Sequence, residues 1–340
     1  MKDKIIKNLS EKTDVIKDED KRVDFIELYL TGRCQLNCRY CRPTALEDME
    51  FETAKEAIDQ LMESESDNVK IQFFGGEPLL RFEMIDKCVN YINYLVKKKH
   101  KNMELCISTN GLLLEKKITE FLIKNNIEVI FSVDGMEKSQ IANRPNHSIK
   151  KNKESHNKII SNLENISQTN LNFSINMVVG PDNLEHLEEN VEFLFNKGAK
   201  RIRVSYMMGV YWEMSQIKDL FRKVSYLFKK HNMKYTAITA CKDEPVLISS
   251  GIAINYKGDI YVGTTYPLLH KFNSLKKINY YGNIYKNKLS DIKTNKKKQL
   301  IRALSSTSED TDEFHLLANN IFLGINYQKM FQRLEKKRRD

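Results

Sequence analysis

The chain has 340 residues, 41% of them hydrophobic, and a formal net charge of +10. That length allows a main domain plus a smaller one, and no apolar run approaches the roughly 18 residues that would suggest a membrane span. Lysine-rich stretches at 97–101, 150–153 and 296–298 carry no interleaved aromatics and no recognisable module, so nucleic acid is not an expected partner. They read as a solvated face, with attraction to an acidic peptide as the sharper alternative.

In chain order, residues 1–24 are charged and aperiodic, too short for an independent domain that binds a leader peptide. Phe25–Thr31 is an apolar strand, and Cys34, Cys38 and Cys41 follow it at once in a C-x3-C-x2-C run. Three thiolates on one short loop suit three corners of a cubane [4Fe-4S] cluster, leaving the fourth iron open to a ligand. A structural zinc would want a fourth ligand nearby and paired C-x2-C units, yet the nearest histidine is His100. A disulfide framework fits no better, since Cys88, Cys106 and Cys241 are scattered and the start of the chain has no signal-peptide pattern.

A helix is expected near 51–64, with Phe51, Ala54, Ala57, Ile58 and Leu61 on one face, then a buried strand at 69–74. Gly75-Gly76-Glu77-Pro78 comes directly after that strand. Paired glycines let a backbone approach a ligand closely, Glu77 offers an anionic acceptor for an ammonium group, and Pro78 stiffens the exit. Such a loop can hold an amino acid's amine beside an iron. Further strands at 103–108, 127–133, 171–179 and 200–206 alternate with helices at 82–98, 113–125, 150–167, 183–196 and 215–231. Six βα units favour a parallel sheet with ligands at the carboxyl ends of its strands. Periodicity alone fits a doubly wound sheet and a barrel equally.

The combined motifs over about residues 25–235 resemble the radical S-adenosylmethionine (SAM) enzymes, in the subfamily of peptide-modifying enzymes and anaerobic sulfatase maturases. The resemblance implies an α/β fold, a partial (βα)6 barrel open on one side. It implies that Cys34, Cys38 and Cys41 bind one [4Fe-4S] cluster. It further implies SAM contacts from Tyr40, from Gly75, Gly76, Glu77 and Pro78, from Ser108 and Asn110 in Ser-Thr-Asn-Gly, and from Ser132 and Asp134 in Ser-Val-Asp-Gly. Arg144, standing where the subfamily has an arginine, is expected among the cofactor-binding residues, and so is Asn176, on the adenosine or substrate side. Gln140 and Ile141 replace the His-Asp pair common just before that arginine.

Residues 236–300 read as a β-hairpin, Gly251 to Val262, with Gly282-Asn283-Ile284 after it. This is similar to the SPASM or twitch region of such enzymes, where cysteines bind auxiliary clusters. Here Cys241 stands in the first place and Gly263-Thr264 in the next, and Cys241 is the last cysteine of the chain. A cluster needs about four ligands, so the hairpin is expected as a lid or substrate wall without one. Cys241 is expected as a relic thiol, with a hydrogen-atom donor as the alternative. Residues 305–312 read as a linker, and Leu316–Leu334 as an amphipathic C-terminal helix that caps the barrel opening or mediates dimerisation. The domain boundaries expected are thus 1–24, 25–235, 236–300 and 301–340.

The resemblance therefore implies a cytoplasmic enzyme that reductively cleaves SAM and takes hydrogen from a substrate, with flavodoxin or ferredoxin as reductant. A ribosomally made precursor peptide, crosslinked or epimerised, is the expected substrate. Dehydrogenation or rearrangement of a small metabolite is the alternative, and a catalytically idle, cluster-bearing binding protein is the reading outside enzymes.

Overall fold

The computed structural model describes residues 2–11, 22–41, 46–231, 238–239, 251–263, 266, 270–309 and 311–339. Within them the chain alternates strand and helix: β1 (Phe25–Tyr29), α2 (Phe51–Met62), β2 (Asn68–Phe74), α3 (Phe82–Lys99), β3 (Asn102–Thr109), α4 (Lys116–Lys124) and β4 (Ile127–Ser132). Then follow α5 (Glu137–Asn143), α6 (Asn152–Ser167), β5 (Phe173–Val179), α7 (Leu187–Asn196), β6 (Ile202–Tyr206), α8 (Met214–Lys230) and β7 (Ile238–Thr239). Helix α1 (Lys2–Glu11) precedes this series, and β8 (Ile252–Ile254), β9 (Asp259–Val262), α9 (Asn273–Asn279), β10 (Tyr280–Asn283), α10 (Lys296–Ser306) and α11 (Asp312–Arg339) complete it.

One sheet takes all ten strands in the order β10-β9-β8-β1-β2-β3-β4-β5-β6-β7. Strands β1 to β7 run parallel and in sequence order, as βα units with one crossover sense produce. Among the described residues the edges β7 and β10 do not pair, so the sheet is open there. Its two faces differ because side chains alternate along each strand. On the helix side Ile26, Leu28, Ile71, Phe73, Ile107, Val129, Phe131 and Ile175 are fully buried, each stabilising the layer by about 1.5–3 kcal/mol. On the other side Glu27, Gln72, Cys106 and Glu128 lie in one register row. Phe74, Ser108, Ser132 and Asn176, from four successive strands, line a single cavity on that side, so this face is concave. The apolar reading of 69–74 had not separated the two faces.

The expected hairpin forms, with Ile252 opposite Val262, but it is not set apart from the parallel strands. Strand β8 pairs with β1 in parallel, Ile26 opposite Ile252 and Leu28 opposite Ile254, so the hairpin lengthens the sheet as a wall. A second apolar core backs it, built from Tyr29, Ala253, Tyr261, Phe272, Leu300, Leu304, Phe314, Leu317 and Ile321. Helix α1 belongs to this core through Leu9, with Ile5 and Ile6 beside it. The high charge of residues 2–11 had masked that short apolar stripe.

Helix α11 spans both cores, with Leu317 and Ile321 in the second and Leu323, Tyr327, Phe331 and Leu334 in the first. It begins at Asp312, earlier than its apolar periodicity indicates, and α10 runs to Ser306, so the two helices take up both ends of the expected linker. Asn320, fully buried, accepts from Gly209 N at 2.8 Å and donates to Val210 O at 2.8 Å. Asn319 makes the same paired contact with Trp212, at 3.0 and 2.9 Å. The loop after β6 is therefore fixed by two adjacent amides of α11 as well as by its own bond from Trp212 Nε1 to Met207 O at 2.9 Å. Replacing Asn320→Ala leaves two buried backbone groups unpaired, which costs about 1–3 kcal/mol each. A thermal melt is expected to show the midpoint fall by several degrees, and an unchanged midpoint would mean that the loop is held by other contacts.

Candidate active site

The cavity, about 430 Å³ in volume, lies at the carboxyl ends of the strands and is lined by Cys34, Cys38, Cys41, Tyr40, Gly75, Gly76, Ser108, Asn110, Ser132, Arg144 and Asn176, among others. The cysteine loop that forms one side of it is tied down at three places. At its base Gly32 N donates to Glu47 O at 3.1 Å and Thr31 bridges Asp48 in antiparallel register. Asp48 there accepts from Thr31 Oγ1 at 2.6 Å and from Arg33 Nη2 at 2.6 Å, and pairs with Arg81 at 2.5 Å. Burial opposes its ionisation, but the hydrogen bonds from Thr31, Arg81 and Arg33 outweigh it and hold the carboxyl below its usual range. Along its far side, the segment after α5 runs beside the cysteines: Asn37 N donates to Pro145 O at 2.7 Å and Arg39 N to Asn143 O at 2.9 Å.

The third tie is the glycine pair. Gly76 N donates to Thr31 O at 2.7 Å and Glu77 N to Arg33 O at 2.8 Å, so two backbones touch with no side chain between them. A Cβ on Gly75 would sit 2.4 Å from Thr31 O and one on Gly76 would sit 2.3 Å from Arg33 O, and Gly75 has φ +133°. Only glycine fits either place. The sequence assigned these glycines to a ligand's approach; the structure shows that they also dock one loop on the other.

Glu77 is placed otherwise than its expected role requires. Its side chain is fully buried and does not line the cavity. The carboxyl accepts from Leu79 N at 3.1 Å, Thr109 Oγ1 at 2.8 Å and Asn110 N at 2.8 Å. Burial pushes it up to about 7, against the pull of those three donors. The physical reason is local: Glu77 caps the short 3-10 turn Pro78–Arg81, and that turn faces inward onto the end of β3. Pro78 is buried at the first position of the turn. Glu77 thus joins the glycine loop to the β3 loop, whose Asn110 reaches Cys34 Sγ at 3.7 Å and Gln35 Oε1 at 3.2 Å.

At the other strand ends, Ser108 Oγ accepts from Gln72 at 2.8 Å and Asn176 Oδ1 accepts from Ser205 at 3.0 Å. Asp134 does not line the cavity; its Oδ1 accepts from Val178 N at 2.8 Å and its Oδ2 pairs with Arg144 Nε at 3.0 Å, both side chains almost wholly buried. Arg144 also lies 5.3 Å over the Tyr40 ring. Gln140, which stands in place of the usual pair before the arginine, accepts from Asp134 N at 2.8 Å. Cys241 lies outside the described residues. Asp48, Thr109 and Asn143 are contributors that the sequence reading missed; Asp48 carries no motif signal, whereas Thr109 sits inside the Ser-Thr-Asn-Gly run.

The donor set fits an iron-sulfur cluster. Burial pushes the Cys34 and Cys41 thiols up to about 11 and Cys38 further the same way, the reverse of what a reactive nucleophile needs. Such thiols lose their protons when a metal takes the proton's place. Three cysteines spread around one cavity suit separate irons of a cluster. The buried Tyr40 hydroxyl has no hydrogen-bond partner among the described residues, which leaves it available to a ligand.

The radical SAM superfamily profile matches residues 28–194, from β1 to the end of α7. The chain belongs to the radical SAM superfamily. It is 34% identical over 260 residues to the uncharacterized protein MJ0907 of Methanocaldococcus jannaschii, covering 74% of this chain and 87% of that one. Radical SAM cyclopropyl synthase TigE of Paramaledivibacter caminithermalis is 24% identical over 231 residues, 62% of this chain but 47% of the synthase, so the match spans about half of that protein. The solved structure of native anSMEcpe with bound AdoMet and Cp18Cys peptide superposes with a TM-score of 0.64 at 18% identity, over 92% of this chain and 98% of that one. That likeness shows the fold: the open sheet is the partial radical SAM barrel, with the C-terminal helix present. This chain is accordingly a radical SAM enzyme, a family that implies a [4Fe-4S] cluster and SAM. Among the described residues no helix is long and apolar enough to cross a membrane.

Glu77→Gln tests the tie beneath the cavity. The amide nitrogen would face a backbone N–H or a hydroxyl donor, losing at least one buried bond at about 1–3 kcal/mol. A lower melting midpoint of the metal-free protein is expected. An unchanged midpoint with weakened SAM binding would instead place the carboxylate against the ligand.

Proposed function

We propose that Cys34, Cys38 and Cys41 hold one [4Fe-4S] cluster with SAM beside it, and that the substrate is a ribosomally made peptide. The observation that carries the first half is the convergence of three half-buried thiols, the Gly75–Gly76 backbone and the polar strand-end residues Ser108, Asn110, Ser132 and Asn176 on one cavity. When bound there, the cluster and SAM together supply a one-electron cleavage that gives methionine and a 5′-deoxyadenosyl radical able to take hydrogen from carbon.

The protein's part is position and exclusion. Backbone at Gly75 and Gly76, rather than the Glu77 carboxylate, is the surface the methionyl ammonium meets. Ser108, Asn110, Ser132 and Asn176 offer neutral hydrogen bonds suited to a carboxylate and ribose, and Tyr40 offers a ring face and its unpaired hydroxyl. Leu36, Phe74 and the cysteine loop shield the cavity from water, which protects a reactive intermediate. A flavodoxin or ferredoxin is the proposed electron donor.

The peptide reading is supported by the open sheet, which leaves one side clear for a long substrate, and by Leu46, 73% exposed at the cavity lining. The anSMEcpe structure named above carries a peptide, and the matched synthase is a cyclopropyl synthase. Crosslinking and epimerisation are the outcomes proposed, with Cys241 as the thiol that would separate them.

Anaerobic reconstitution is expected to give about four irons per chain, one cluster, and the protein is expected to release 5′-deoxyadenosine when reduced with SAM. Replacing Cys34, Cys38 and Cys41 together with Ala should abolish both. About eight irons per chain, or iron retained in the triple variant, would contradict the ligand assignment. Modification of a short peptide encoded beside this gene would support the peptide reading, and turnover of an amino acid or sugar in its place would overturn it.

A further inference from the structure

Arg144 is a cation sealed into the wall of the cavity that the three cysteines share, 7% exposed and locked there by its neighbours' backbone. Asn143 O and Pro145 O each accept from the cysteine loop, at 2.9 and 2.7 Å. The guanidinium lies over Tyr40, the residue directly before Cys41, and donates from Nη2 to Asn176 O at 3.3 Å. Its counter-ion is on the far side: Asp134 is 1% exposed and does not line the cavity. The pair is therefore an oriented dipole, positive end toward the cysteines.

We infer that the Asp134–Arg144 pair sets the reduction potential of the cluster held by Cys34, Cys38 and Cys41, with Arg144 favouring the reduced state and Asp134 moderating it. This rests on the cluster reading above. Reduction adds one negative charge to a group that three thiolates already make anionic, and potentials of such clusters follow local net charge and solvent exposure. A cation in a water-poor wall acts on that charge with little screening. Arg144 is here a positioning residue for charge: its Nε pairs with Asp134 and its Nη2 donates to a backbone carbonyl, which together hold the guanidinium at the cavity wall.

The test is a redox titration of the reconstituted protein without SAM, read by the electron paramagnetic resonance of the reduced cluster, with iron content measured on each variant. Asp134→Asn removes the moderating anion and is expected to raise the midpoint. Asp134→Asn combined with Arg144→Met removes both charges and leaves no unpaired buried acid. Its cluster is expected to be at least about ten-fold harder to reduce than that of Asp134→Asn alone, which is about 59 mV for one electron. Combining Asp134→Asn with Arg144→Lys should restore most of the difference. Equal midpoints in the single and double variants would overturn the inference, as would loss of iron from both, which would assign the pair to folding alone. A parent protein that takes up no cluster would contradict the proposed function instead.

Discussion

The contact of one backbone with another, Gly75–Gly76 on Thr31–Arg33, is the constraint on which the rest of the site depends. It leaves no room for a side chain on either glycine, so the second strand's loop sits directly on the root of the cysteine loop. Glu77 then extends the same contact sideways, from the glycine loop to the third strand's end. Asp48 and the Asn143–Pro145 segment close the remaining sides. A loop of three cysteines would otherwise be a long, entropically costly excursion. Held this way, it presents its thiols to one cavity.

The concave face is polar where a closed barrel would be packed with branched apolar side chains. Glu27, Gln72, Ser108 and Asn176 are tolerated there because the sheet stays open and because each is engaged by a neighbour, as Gln72 is by Ser108 and Asn176 by Ser205. The helix-facing side supplies the burial that stabilises the fold, which frees the inner side for chemistry. The hairpin and the C-terminal helix extend this division. The hairpin continues the concave wall past β1, while the helix ties both apolar cores together from outside.

Much of this was legible in the sequence where physics is local. The six strands and the hairpin follow from apolar runs and their turns, and Cys34, Cys38, Cys41, Gly75 and Gly76 share the cavity that their spacing pointed to. What the sequence hid was non-local. Glu77 reads as a ligand's counter-charge until the inward turn of Pro78 is known. Asp48 and Asn320 are ordinary polar residues in any linear reading, and their partners lie at Arg81 and Gly209. Helix α1 escaped notice because three apolar residues among lysines show no sustained period, and its stability comes from the packing of Leu9 against the second core.

The central claim is that the fourth iron of the cluster is open to SAM at this cavity. It is tested most directly by comparing the electron paramagnetic resonance spectrum of the reduced, reconstituted protein before and after SAM is added. If the Gly75–Gly76 backbone and the strand ends deliver SAM to that iron, the line shape of the cluster signal changes on addition. A spectrum identical with and without SAM, from a protein shown to hold one cluster, would contradict the account.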